Sequence, residues 1–297
     1  MPAHIIDGRA IAAEVREELK QRIARLEGVV PGLAAVVIGD DPAAASYLKG
    51  IARGCEAAGI IHEEVRLAQN TTQSELEAAI SALNSDTRIH GIILQLPLPR
   101  HFDTLRAQSS ISPDKDVDGT NPVSAGKLLL GEDTFFPSTA LGVKELLVRS
   151  GHSPEGLHVV ICGRSNIVGK PLAGILMQKQ PGANATVTVC HTGTRHLASI
   201  TTTADILVAA IGRPQAITAD MVREGTVVID VGVNQIEDQA TGKPRLVGDV
   251  DFEAVAEKAA AITPVPGGTG PVTAAVLLSN TVLAAERLIS LQRQFGQ

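Results

Sequence analysis

The stretch His158-Val-Val-Ile-Cys-Gly-Arg-Ser-Asn-Ile-Val-Gly-Lys-Pro171 joins an apolar run to a glycine turn and then to a helical pattern that continues to Met177. A strand, turn and helix in this order opens a dinucleotide-binding unit. The first glycine permits the tight turn, the middle one lets backbone approach a pyrophosphate, and the last allows close contact between helix and strand. Gly163 and Gly169 hold the outer places and Ser165 takes the middle one. Gly163, Arg164, Ser165, Ile167, Val168 and Gly169 are therefore the candidate cofactor-binding residues; an ordinary βα turn is the competing explanation. Pro171 suits the first turn of the helix, where a missing N–H costs little.

Downstream, apolar runs at Thr186–Cys190, Ile206–Ala210, Thr226–Asp230 and Ala260–Thr263 bring the total to five, separated by helical or loop stretches. That alternation describes a doubly wound, mostly parallel sheet. An NAD site would place an acid after the second strand to take the ribose hydroxyls, but His191-Thr-Gly-Thr-Arg195 offers none. Arg164, Thr192 and Arg195 suit a 2′-phosphate, so NADP is the expected cofactor. A solvated polar turn is the alternative.

Upstream, a helical pattern covers Asp7 to Leu26. Leu33–Ile38, a helix from Ala43 to Ala58, a strand at Glu63–Leu67, a helix at Ser74–Leu83 and a strand at Gly91–Leu96 then make one βαβαβ unit. Continuous apolar strands are expected when both faces of a parallel sheet are covered. The stretch 101–137 is rich in loop residues, and the domain crossover is placed there. A helix from about Thr139 to Arg149 follows, and a last helix runs from about Pro271 to Leu291. The expected fold is α/β in two domains, residues 1–137 with 271–297 and residues 138–270.

Composition narrows the function classes. The chain has 297 residues, 44% of them hydrophobic, and a net charge of -6, so it has material for a core and lacks the broad basic surface of a nucleic-acid or lipid binder. With no Trp and one Tyr, stacking platforms for single strands are missing. No uninterrupted apolar run reaches the roughly 20 residues of a membrane span. The N-terminus carries no leader pattern, so a cytoplasmic protein is expected. Cys55, Cys162 and Cys190 are read as buried free thiols, and no metal-ligand spacing is present.

Five blocks then stand in order: Tyr47-Leu-Lys-Gly-Ile-Ala-Arg-Gly-Cys55, Gln95-Leu-Pro-Leu-Pro99, Pro113-Asp-Lys-Asp-Val-Asp-Gly119, the glycine turn 163–171, and Thr263-Pro-Val-Pro-Gly-Gly-Thr-Gly-Pro271. Together they resemble the methylenetetrahydrofolate dehydrogenase/cyclohydrolase family. The resemblance implies two domains around a cleft, an N-terminal folate-binding domain completed by the last helix, a Rossmann-type NADP domain, tetrahydrofolate derivatives as substrates, and a homodimer. It also places Tyr47, Gln95 and Asp118 in the catalytic site and Pro264, Gly267 and Gly268 against the substrate. The chemistry is coherent with this. A pteridine is flat with a fused amidine edge, matching one aromatic face and one carboxylate, which Tyr47 and Asp118 would supply.

One position departs from the family pattern. The lysine expected four residues after the tyrosine is Ile51, and the serine three residues before it is Ala44. Oxidation of the methylene carbon moves a hydride and needs no proton acceptor at that moment. Hydrolysis of the methenyl product moves protons and calls for a titratable group, worth ~10²–10⁴-fold. The sequence thus predicts a dehydrogenase with weak or absent cyclohydrolase activity. The alternative is a bifunctional enzyme working through Gln95, Asp118 or Lys49, and a non-catalytic NADP/folate-binding protein is the alternative from another class.

Overall fold

The structure is a computed structural model that describes residues 3–26, 28–40, 42–237 and 242–295. The elements run β1 (His4–Ile5), α1 (Gly8–Ile23), β2 (Gly32–Ile38), α2 (Pro42–Ala58), β3 (Ile61–Leu67), α3 (Gln73–Ser85), β4 (Gly91–Leu94), α4 (Thr104–Ser109), α5 (Pro122–Leu130) and α6 (Ser138–Arg149). They continue with β5 (His158–Cys162), α7 (Gly169–Leu176), β6 (Thr186–Cys190), α8 (Leu197–Thr201), β7 (Ile206–Ala209), β8 (Val227–Asp230), β9 (Asn234–Glu237), β10 (Pro244–Val247), α9 (Phe252–Ala256), β11 (Ala261–Ile262) and α10 (Thr269–Phe295). The chain divides into two compact units, one ending at Ala12 and resuming over Thr139–Thr273, the other spanning Ala13–Ser138 and the chain from Ala274.

The unit containing Ala13–Ser138 is built on a three-stranded parallel sheet in the order β3-β2-β4. Leu33, Ala35 and Val37 of β2 face one way into a core shared with Leu48, Ile51 and Cys55 of α2 and Leu277, Leu278 and Val282 of α10. Ala34 and Val36 face the other way, against Leu76, Ile80 and Leu83 of α3. Cover on both faces is why β2 is apolar throughout. β3 lies at the sheet edge with Glu63, Glu64 and Arg66 along it, charges that discourage edge-to-edge pairing. Helix α3 starts with a capping box, Thr72 and Glu75 each satisfying the other's backbone N–H.

The other unit carries a six-stranded parallel sheet ordered β1-β11-β8-β7-β5-β6, with β9 and β10 as a separate antiparallel ribbon. The chain leaves β5 to one side for β6 and returns to the other side for β7, the topological switch of a Rossmann-type fold. The first residues differ from the expected division. His4 and Ile5 pair with Ala261 and Ile262, so the N-terminus up to Ala12 joins this unit rather than the one that follows it. The stretch 101–137 also holds two helices where loops were expected; α5 starts on the Asn121 cap with a proline in its first turn and ends at Gly131. α10 is long and apolar enough by composition to cross a membrane, which its scattered polar residues hid from a search for uninterrupted runs. Of its most apolar window 61% is buried inside the protein, the pattern of a core helix.

Candidate active site

In the unit built on β2, β3 and β4, Tyr47 lies on α2 and is 42% exposed, an aromatic side chain left partly open at the surface. Asp118 follows β4 in the segment Pro113–Gly119, whose other buried carboxylate does the folding work. Asp116 is fully buried and accepts hydrogen bonds from Thr120 N (3.0 Å), Asn121 N (2.9 Å) and Ser124 Oγ (2.7 Å). Asp118 is left with one long bond from Ser138 N at 3.4 Å. Burial pushes its carboxyl up to about 6 against the influence of Ser138, with the Asp116 charge adding to the rise. Burial and the charge of Asp118 in turn push the Tyr47 phenol above its ordinary range. The sequence thus brings together an aromatic side chain and a carboxyl pushed up to about 6.

Gln95 stands at the carboxyl end of β4, its N–H on Val36 O at 2.9 Å and its side-chain amide on Leu96 O at 2.8 Å. Ile51 is one helical turn beyond Tyr47 but only 1% exposed, packed in the core with Leu48 and Cys55. At the position where the family pattern has a lysine it is a packing residue, and its side chain has no group to transfer a proton. Lys49 and Arg53 are exposed on other faces of α2. Ala44, where the family serine was expected, has a side chain outside the described residues. Ser138 was missed from sequence. It is 1% exposed, and its hydroxyl, beside Asp118, completes no hydrogen bond within the protein.

In the other unit, Gly163 follows β5 with φ +146°, a region side chains avoid, and a Cβ there would stand 2.1 Å from Ala210 O. A Cβ on Gly169 would stand 2.0 Å from Gly163 O. The turn therefore folds tightly on itself and presents the start of α7, whose N–H groups and dipole favour a phosphate. Ser165 does more than replace a glycine: its hydroxyl accepts from Val168 N at 3.1 Å and closes the turn. Arg164, Ile167, Thr192 and Arg195 are exposed around it, and Val168 is buried beneath. This donor set fits a phosphate-bearing dinucleotide. Pro264, Gly267 and Gly268 lie in this unit too. Gly268 N bonds Pro264 O at 2.8 Å, making the loop a closed turn ahead of α10.

Cys55, Cys162 and Cys190 are free and buried, and burial pushes the first two thiols up to about 12, which disfavours their thiolate forms. Among the described residues no group of His, Cys, Asp and Glu is placed to hold a metal.

Two family models match: the tetrahydrofolate dehydrogenase/cyclohydrolase catalytic domain over residues 6–118 and the NAD(P)-binding domain of the same family over residues 137–289. The chain belongs to the tetrahydrofolate dehydrogenase/cyclohydrolase family. Among curated relatives, the bifunctional protein FolD of Dehalococcoides mccartyi (strain CBDB1) is 55% identical over 294 residues, covering 98% of this chain and 99% of the relative. Among solved structures, the bifunctional FolD dehydrogenase/cyclohydrolase of Campylobacter jejuni superposes with a TM-score of 0.91 at 45% identity, covering 96% of this chain and 99% of that one. A Trypanosoma brucei methylenetetrahydrofolate dehydrogenase-cyclohydrolase solved with NADP and an inhibitor gives 0.91 at 38% identity, covering 97% and 99%. Membership of this family makes the protein a methylenetetrahydrofolate dehydrogenase with an NAD(P)-binding domain.

Proposed function

We propose that this enzyme oxidises 5,10-methylenetetrahydrofolate to the 5,10-methenyl form with NADP as hydride acceptor, and then hydrolyses the methenyl ring to 10-formyltetrahydrofolate. The observation that carries the reading is the pairing, within one unit, of the exposed Tyr47 ring with the Asp118 carboxyl, which together match a flat ring with an amidine edge. Relatives named as bifunctional, such as the D. mccartyi protein, support the same reading. The pterin ring would stack on Tyr47 with its amidine edge on Asp118, while Gln95 holds the strand end beside them. The phosphates of NADP would lie on the turn from Gly163 to Gly169, and its 2′-phosphate near Arg164, Thr192 and Arg195.

Tyr47→Phe should keep folate affinity within about 3-fold, and Tyr47→Ala should weaken it about 10-fold, since stacking of a flat heterocycle is worth ~1–3 kcal/mol. Titration with tetrahydrofolate checks this; an equal loss in both variants would assign the contact to the hydroxyl.

A second reading rests on Ile51. No lysine follows Tyr47 by one turn, and the isoleucine there is sealed in the core, so hydrolysis would be weak and methenyl product would accumulate. Methenyltetrahydrofolate supplied without NADP separates the two. Under the bifunctional reading, enzyme accelerates its decay above the buffer rate with an inflection near pH 6, and Ile51→Lys changes little apart from stability. Under the second, decay follows buffer alone, and Ile51→Lys raises hydrolysis more than oxidation, on the ~10²–10⁴-fold scale of a general acid-base.

A further inference from the structure

The switch of strand order at β5 leaves two loops at the carboxyl ends of neighbouring strands, where open α/β sheets bind their ligands. One is the glycine turn after β5. The other is Ala210–Arg213 after β7, and the 2.1 Å approach of a Cβ at Gly163 to Ala210 O shows that the two loops touch. What holds the second loop is a pair of buried carboxylates. Asp249 Oδ2 accepts from Ile211 N (2.5 Å) and Gly212 N (2.8 Å), and its Oδ1 from Arg213 N and Asn234 Nδ2, both at 2.9 Å. Three successive N–H groups converging on one point form an anion nest. Here the anion is the protein's own.

Asp249 is in turn fixed by Asp230. Asp230 Oδ1 accepts from Gly232 N (2.9 Å) and Asp249 N (3.0 Å), and Oδ2 from Val250 N (2.9 Å). Its backbone is tied to the loop ahead of α10 through Thr263 Oγ1 and to the first residue of α10 through Thr269 Oγ1, each at 2.7 Å. The two acids are 0% and 3% exposed. Such burial is costly unless the carboxylates are fully hydrogen-bonded, and here they are bonded almost entirely by backbone N–H groups of loops. The packing is tight enough to demand glycine: a Cβ at Gly232 would stand 2.2 Å from the Asp249 carboxylate, and one at Gly248 1.8 Å from Asp230 Oδ2.

We propose that Asp249, seated by Asp230, is a positioning residue for the dinucleotide: it holds Ala210–Arg213 as a pre-formed wall of the NADP site. The proposal rests on the NADP reading above. A clamp of this kind lowers the ordering cost of binding without touching the cofactor. A purely structural role would instead lower stability and affect both ligands alike.

The test is Asp249→Asn, which keeps the shape but turns an amide NH₂ toward N–H groups that need an acceptor. The NADP dissociation constant, read by calorimetry, should rise about 10-fold, as expected when charge-assisted bonds to a loop are lost. Tetrahydrofolate affinity should stay within about 2-fold and kcat at saturating NADP within about 3-fold, a KM effect without a kcat effect. In parallel, hydrogen exchange on the wild-type enzyme should show the amides of Ile211, Gly212 and Arg213 protected before NADP is added and further protected afterwards. Unchanged NADP affinity in a folded Asp249→Asn, equal loss for NADP and tetrahydrofolate, or rapid exchange of the three amides in the wild type would each overturn the proposal. Should the variant not fold, the exchange measurement decides alone. Wild-type enzyme that fails to bind NADP but binds NAD would overturn the cofactor reading, while protection that deepens with NAD would leave the clamp standing.

Discussion

Asp118→Asn is expected to lower kcat/KM for the folate substrate about 10²–10³-fold, since an ionised acceptor for two N–H groups is worth roughly 1.5–3 kcal/mol per bond. The asparagine preserves volume, so the loss reports charge and acceptor count. The pH dependence follows from the carboxyl at about 6. Above that value Asp118 is ionised and accepts from the amidine; below it the proton blocks one oxygen. In the wild type, kcat/KM should therefore rise through about pH 6, and in Asp118→Asn the inflection should vanish.

Stability should move the other way. A carboxyl whose folded value lies above its ordinary one favours the fold while protonated, and that contribution is lost as pH rises from about 4 to about 7. The variant carries no such penalty, so melting curves should show it gaining on the wild type across that window. A variant that loses activity and stability together at neutral pH would mark Asp118 as a structural turn residue, the task the structure gives to Asp116.

The second large effect is expected at Gly163. A Cβ there is pressed against Ala210 O at 2.1 Å on a backbone at φ +146°. Gly163→Ala must open the gap between the two loops, at a cost of about 1–3 kcal/mol in stability. Because a shift of about 1 Å in a positioned group can cost ~10²-fold, NADP affinity should fall by that order while tetrahydrofolate affinity holds. Calorimetry with each ligand checks this. NADP binding that survives intact would place the dinucleotide elsewhere.

Much of this architecture was legible before the structure. The runs at 33–38, 158–162, 206–209 and 227–230 are apolar because both faces of their sheets are covered, and each is a strand. The glycine turn was legible for a related reason, since close backbone approach leaves glycine as its trace. Strand β1 was not, because two residues, His4 and Ile5, carry no periodicity and gain strand character only from β11. Helix α5 was hidden by Pro122, Gly126 and Gly131, residues that read as loop until the Asn121 cap is seen to start a helix.

In the candidate site, Tyr47 and Asp118 were singled out from the chemistry of a flat amidine-bearing ligand together with the family resemblance, and the structure couples their charges within one unit. Ile51 was read correctly as unable to titrate, but its burial in the core was not visible. A side chain one turn along from an exposed tyrosine can face either way, and Leu48 and Cys55 decide the matter. Ser138 and the Asp230–Asp249 pair escaped because their partners are backbone atoms or a residue 20 positions away, which leave no spacing to read. Only the flanking Gly232 and Gly248 hinted at a close approach.

The proposed function stands on hydride transfer from methylenetetrahydrofolate to NADP. A time-resolved absorbance spectrum of the purified enzyme with both reactants tests it most directly. Reduced nicotinamide should appear in step with methenyl product, which then drains faster than in enzyme-free buffer. No reduced nicotinamide with NADP or with NAD, while both ligands still bind, would contradict the account and leave a binding protein in place of an enzyme.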